Sequence, residues 1–173
     1  FSARYGNVYT VRQGLQLIRR AFGEWESSEV AWERGGAFVD PLRPQVEPNG
    51  FPSLAALSED RDAHLAAVRD LVANSSVLVF TLGLTETWTS VDDGTVFPVV
   101  PGASGGTFDH DRYRFRNFSI SETIQDIEDL RASLTARNPT IRILLTVSPV
   151  PLIATYTSNH VLAATTYSKS VLR

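Results

Sequence analysis

Val77-Leu-Val-Phe-Thr-Leu82 is a continuous apolar run stopped at Gly83, and Ile141-Arg-Ile-Leu-Leu-Thr-Val147 is a second run of the same kind. Both are short and bounded by turn formers, the pattern of strands buried on both faces. Between them, residues 121–137 carry Ile124, Ile127, Leu130 and Leu134 at spacings of three and four, which predicts an amphipathic helix. Strand, crossover helix and strand make a βαβ unit, and such a unit builds a parallel sheet. The sequence therefore predicts an α/β fold. In α/β sheets ligands bind beyond the carboxyl ends of the strands, which singles out Gly83-Leu-Thr-Glu86 and Ser148-Pro-Val-Pro151.

Outward from this unit, Val8, Val11, Leu15, Ile18 and Phe22 recur at helical spacing, so a helix over 8–22 follows a turn at Gly6-Asn7. A further helix is predicted over 54–72. Residues 38–51 hold Pro41, Pro44, Pro48, Asn49 and Gly50, enough breakers to predict an ordered surface loop. The stretch 88–118 reads as a turn-rich insertion with a small hairpin around Asp92-Asp-Gly94. No repeat or low-complexity tract divides the chain, so residues 1–173 are read as part of one domain. The chain opens at Phe1 and closes on Ser168-Lys-Ser-Val-Leu-Arg173, which reads as the inside of a helix, and the expectation is a fold incomplete at both ends.

Composition excludes several classes of function. The 173 residues carry 16 Lys and Arg against 19 Asp and Glu, a net charge of −3, which leaves no basic surplus for nucleic acid. With no cysteine there is no disulfide, thiolate metal site or Cys nucleophile. The longest apolar run, 143–155, is broken by Ser148, Pro149 and Pro151, short of the ~18–20 residues of a membrane span. No cofactor or metal is expected. A cytoplasmic location is the expectation, and the oligomeric state is not legible.

Gly102-Ala-Ser-Gly-Gly106 matches the Gly-x-Ser-x-Gly form of a nucleophile elbow, but an elbow needs a buried strand before the serine and a helix after it. Neither is predicted, so this is read as a loop. Asp109-His-Asp111 has no partner cluster at metal-ligand spacing and is read as a solvated loop, and His64 as a surface side chain. His160 shares a helical face with Ala164, Tyr167 and Val171, so it is either a packed histidine or a site residue. Tyr5-Gly-Asn7 lies where backbone N–H groups collect at a helix start. Thr81-Leu-Gly-Leu-Thr-Glu-Thr-Trp88 offers a hydroxyl, a carboxylate and an indole at a strand end; the alternative is that Thr85 caps the turn and Glu86 forms a surface ion pair.

Ser2-Ala-Arg-Tyr-Gly-Asn-Val-Tyr-Thr10, Phe80-Thr-Leu-Gly-Leu-Thr-Glu86, Leu145-Thr-Val-Ser-Pro-Val-Pro-Leu152, His160-Val-Leu162 and Tyr167-Ser-Lys-Ser170 together resemble the GSCFA domain family over essentially the whole chain. That family resembles the SGNH, or GDSL-like, hydrolases, which implies a flavodoxin-like three-layer α/β/α sandwich and a Ser-His-Asp site acting on esters. The resemblance implies that Gly6 and Thr85 form an oxyanion hole, Thr85 standing where the superfamily has an asparagine amide, and that Asn7, Gly83, Glu86 and His160 bind substrate. It places the nucleophile in a Gly-Ser-Cys-Phe-Ala motif before Phe1 and the base in an Asp-x-x-His pair after Arg173. The expected function is that of the central part of a serine esterase or acyltransferase acting on an acylated small molecule or saccharide. The alternative is a non-catalytic carbohydrate-binding or assembly module on the same fold.

Overall fold

The computed structural model describes residues 3–173, so Phe1 and Ser2 of the first motif lie outside the described residues. Helix α1 (Val11–Ala21) is followed by a hairpin of β1 (Trp32–Arg34) and β2 (Ala37–Val39), then by α2 (Leu54–Asn74) and β3 (Val77–Leu82). Three antiparallel strands follow, β4 (Glu86–Ser90), β5 (Val96–Phe97) and β6 (Tyr113–Asn117). The chain then runs through α3 (Ile120–Arg137), β7 (Arg142–Val147) and α4 (Val161–Leu172).

The two runs that decide the fold are parallel neighbours, in register from Val77 opposite Arg142 to Leu82 opposite Val147, with α3 on the connection between them. The α/β class with a parallel sheet is thus established. Strand side chains alternate between faces. Leu78, Phe80 and Leu82 of β3 and Ile143 and Val147 of β7 join Leu15 and Ile18 of α1, Val68 and Val72 of α2, and Leu130 and Leu134 of α3 in the principal core. Deleting a side chain as closed off as Leu15 or Leu134 costs about 2–5 kcal/mol.

The opposite face departs from the expectation of two buried faces: Val79 is 58% exposed and Leu144 54%. An unbroken apolar run records that both faces are apolar, and it carries no information on whether a second layer covers them. α1 also starts later than predicted. The Thr10 hydroxyl accepts from Gln13 N–H at 3.2 Å and the Gln13 side chain accepts from Thr10 N–H at 3.0 Å, a capping box that fixes the helix start and leaves Val8 outside it.

The 88–118 insertion is ordered as a sheet in the order β5-β4-β6, and Asp92-Asp93-Gly94 forms the predicted hairpin turn, with the Asp93 carboxylate accepting from Thr95 N–H at 2.9 Å. Trp32, Val39, Phe97 and Tyr113 form a second core beneath it. The β1–β2 hairpin was not predicted, although Gly35-Gly36 carries its signal: both residues have positive φ, 57° and 84°, as a two-residue hairpin turn requires. The 102–106 loop runs in turns and bends, without an elbow's strand or helix around Ser104.

Candidate functional site

The loop leaving β3 is held from three sides. Gly83 N–H and Leu84 N–H both donate to Tyr9 O, at 3.1 and 2.9 Å. A Cβ on Gly83 would lie 2.8 Å from that oxygen, so only glycine lets the segment before α1 approach this closely. From α4, Lys169 Nζ donates to Gly83 O at 2.7 Å, and the Ser168 hydroxyl accepts from Thr85 N–H at 3.1 Å. Burial, followed by the charge of Arg173, lowers the Lys169 ammonium from its ordinary value. From β6, the Thr85 hydroxyl donates to Asn117 Oδ1 at 2.7 Å, and Phe118 N–H donates to Thr85 O at 2.9 Å.

The resemblance gives Thr85 the role of an oxyanion donor, and its surroundings bear on that expectation. Its side chain is buried, the residue being 1% exposed, and its single hydroxyl proton is committed to Asn117. A hydroxyl has one proton to donate, so Thr85 here is part of the scaffold of the loop. Gly83 and Glu86 do face open space. With Leu84, Trp88, Ser148 and Tyr156 they line a cavity of about 620 Å³ at the carboxyl ends of β3 and β7. Glu86 is buried at its edge and accepts from the Thr155 hydroxyl at 2.7 Å. The cavity's aromatic wall is Trp88, packed edge-on against Phe108 and Tyr156 with both centroids 5.1 Å away.

Gly6 and Asn7 lie elsewhere. They line a cleft of about 320 Å³ with Arg4, Arg43 and Gln45, and Pro98 and Val99 form walls of both this cleft and the larger cavity. Among the described residues no acceptor receives the Gly6 or Asn7 N–H, which leaves two backbone donors free at this position. The segment is held in place by its neighbours. Arg4 has φ +48°, a conformation that a non-glycine residue adopts only under constraint, and its carbonyl accepts from Arg43 Nη1 at 3.2 Å. His160 lines neither space. It is exposed and caps α4, its Nδ1 accepting from Leu162 N–H at 3.2 Å, so it is neither a packed histidine nor brought to the other site residues.

Sequence reasoning missed the charges behind Gly6. Asp40 is fully buried, with its Oδ2 accepting from Arg43 Nη2 at 3.1 Å and Arg61 Nε at 3.3 Å. Burial alone would raise this carboxyl, but Arg61, Arg20 and Arg43 outweigh it and hold it below the ordinary carboxylate range. His64, read as a surface residue, is buried against the same cluster. Burial and then the Arg43 charge push it down to about 4, so the neutral ring donates Nδ1–H to Ala3 O at 2.5 Å. Charged residues in a loop or on a helix look like surface in a sequence. Ser168 and Lys169 were visible only as part of a motif, 83 or more residues from the loop they fasten.

The fold and site define an α/β protein with a ligand-sized cavity at the carboxyl ends of its parallel strands. The chain belongs to the GSCFA family, whose model matches residues 1–173. Neither a curated protein nor a solved structure matches it. Among the described residues no helix is long and apolar enough to cross a membrane.

Proposed function

We propose that this chain is the central part of a serine esterase or acyltransferase that acts on an acylated small molecule or saccharide. The observation that carries the reading is the 620 Å³ cavity beyond the carboxyl ends of β3 and β7, the position where α/β sheets bind ligands. In this reading its apolar and aromatic walls take the hydrophobic part of the ester. The free Gly6 N–H supplies the oxyanion donor, with Asn7 N–H beside it in place of Thr85. The nucleophilic serine and its base belong to the Gly-Ser-Cys-Phe-Ala and Asp-x-x-His motifs of the family pattern, neither of which occurs within Phe1–Arg173. The serine would attack the ester carbonyl and expel the alcohol, and water or an acceptor hydroxyl would then release the acyl group.

The test is hydrolysis of p-nitrophenyl acetate by the protein that carries both motifs, beside the 173-residue chain alone. Turnover by the former, abolished when its motif serine becomes alanine, and background rates for the latter are the expected results. Turnover by the 173-residue chain that Ser104→Ala removes would overturn the assignment. A second reading, saccharide binding without chemistry, is favoured by the exposed Tyr156 ring beside Trp88 at the cavity wall, a surface on which a sugar can stack. Saturable saccharide binding by a protein with no esterase activity would decide for it.

A further inference from the structure

Arg20, in the last turn of α1, is 9% exposed, yet among the described residues its guanidinium makes no hydrogen bond. The nearest carboxylate oxygen, Asp40 Oδ1, is 3.8 Å from Nη1. Asp40 has little left to offer. Its Oδ1 accepts from Leu42 N–H at 3.1 Å, and its Oδ2 is shared by Arg43 and Arg61. Asp60 Oδ1 accepts from Arg4 Nη1 at 2.6 Å, while its Oδ2 lies 3.0 Å from Arg43 Nη2 without a hydrogen bond, and Glu26 is the other carboxylate whose charge reaches Arg20. A guanidinium presents five N–H donors in a planar fork suited to a carboxylate or phosphate, and the Arg20 nitrogens are not fully closed off, so a group entering from solvent can reach them.

The space in front of Arg20 is a small enclosure of about 30 Å³, which also touches His64 and Gln16. It shares Tyr5, Gly6, Asn7 and Arg43 with the 320 Å³ cleft, where Arg4 adds a further cation. The amide of Gln16 is already used, donating to Gly94 O at 2.9 Å and accepting from Val96 N–H at 3.0 Å; of the Gln13 amide, the oxygen serves the α1 cap and Nε2 is left as a further donor lining the enclosure. Gly6 and Asn7, whose N–H groups find no acceptor among the described residues, line this space together with the Arg20 fork.

We infer that the enclosure and cleft form a binding site for a small oxyanion headgroup, a carboxylate or a phosphate, with one oxygen seated on Arg20 and the remainder of the group in the cleft beside Gly6 and Asn7. The inference stands on binding alone, so it survives or fails independently of the esterase reading. Inorganic phosphate and acetate are the probes, titrated separately into the chain at constant ionic strength with chloride as the balancing anion. A saturable rise in melting temperature with either probe is expected, as is a shift of the Arg20 Nε–Hε resonance that saturates over the same range. Which probe acts identifies the headgroup as phosphoryl or carboxylate. Arg20→Gln should weaken the apparent affinity by about 10–100-fold, the loss of a hydrogen bond to a charged group. Arg20→Lys keeps the charge without the fork and should fall between. If Arg20→Gln does not fold, the resonance shift in the unmodified chain decides. Absence of saturation with both probes, or equal binding by folded Arg20→Gln, would overturn the inference.

Discussion

Replacing Thr85 by valine separates a scaffold residue from a catalytic donor. Valine keeps the β-branched shape, so packing in this closed position survives and the hydroxyl is the only group lost. The backbone bonds of the loop, Thr85 N–H to Ser168 and Phe118 N–H to Thr85 O, are untouched. What disappears is the 2.7 Å bond to Asn117, whose amide is half-buried and regains water on one side. The cost is therefore at the lower end of that for an unsatisfied buried acceptor, about 1–2 kcal/mol. For a chain of this size it corresponds to a fall in melting temperature of about 2–8 °C. Urea melts should show a lower midpoint at unchanged m. The double variant Thr85→Val/Asn117→Leu removes both partners and should lose less than the sum of the two single changes. In the protein that carries the catalytic motifs, kcat per folded molecule should stay within a few-fold. A kcat loss of about 10²–10³ at unchanged melting temperature, the signature of an oxyanion donor, would refute the scaffold assignment.

Other perturbations follow from the same contacts. Gly83→Ala puts a methyl carbon 2.8 Å from Tyr9 O and 3.3 Å from Tyr9 Cα, both backbone, and should cost about 1–3 kcal/mol in a chemical melt while loosening protection of the Leu84 amide from hydrogen exchange. Asp40→Asn leaves Arg20, Arg43 and Arg61 facing an uncharged amide and should cost about 3–5 kcal/mol, read as a lower urea midpoint. His64, held near 4 in the folded state against 6.5 in the unfolded chain, makes stability depend on pH. The unfolded chain binds the proton first, so stability is full above 6.5 and is lost as the pH falls towards 4, by about 3 kcal/mol in all. Melts of His64→Gln across that window should lack this slope, and an unchanged slope would assign it to other groups.

What the sequence made legible follows from how local each signal is. β3, β7 and α3 were readable because run length, turn residues and periodicity are written within each segment, and the pairing follows from the connection between them. The Asp92-Asp93-Gly94 hairpin was readable for the same reason, and Gly35-Gly36 carries a signal just as local. The partners of Thr85 were not. Asn117 lies 32 residues away and Ser168 lies 83 away, and no spacing rule joins a strand-end threonine to either. The ion cluster failed differently: Asp40, Arg43 and His64 have the composition of surface, and only mutual neutralisation in the fold lets them be buried.

These two failures bear on one question, which groups in this site remain available to a ligand. Every backbone N–H from Gly83 to Thr85 is used inside the protein, and so are the carbonyls of Gly83 and Thr85. A loop wired in this way is rigid, and its free surface is apolar wall with the Glu86 carboxylate at its edge. Free donors collect instead on the segment before α1, at Gly6 and Asn7, where the backbone is bent at Arg4 and pinned by Arg43. That separation gives the ion cluster a consequence for binding: Asp40 fixes Arg43, Arg43 fixes the Arg4 carbonyl, and the orientation of the Gly6 N–H depends on both. A change at Asp40 mild enough to leave the chain folded should therefore weaken whatever anion or oxyanion binds at Gly6, while an apolar ligand in the 620 Å³ cavity keeps its affinity.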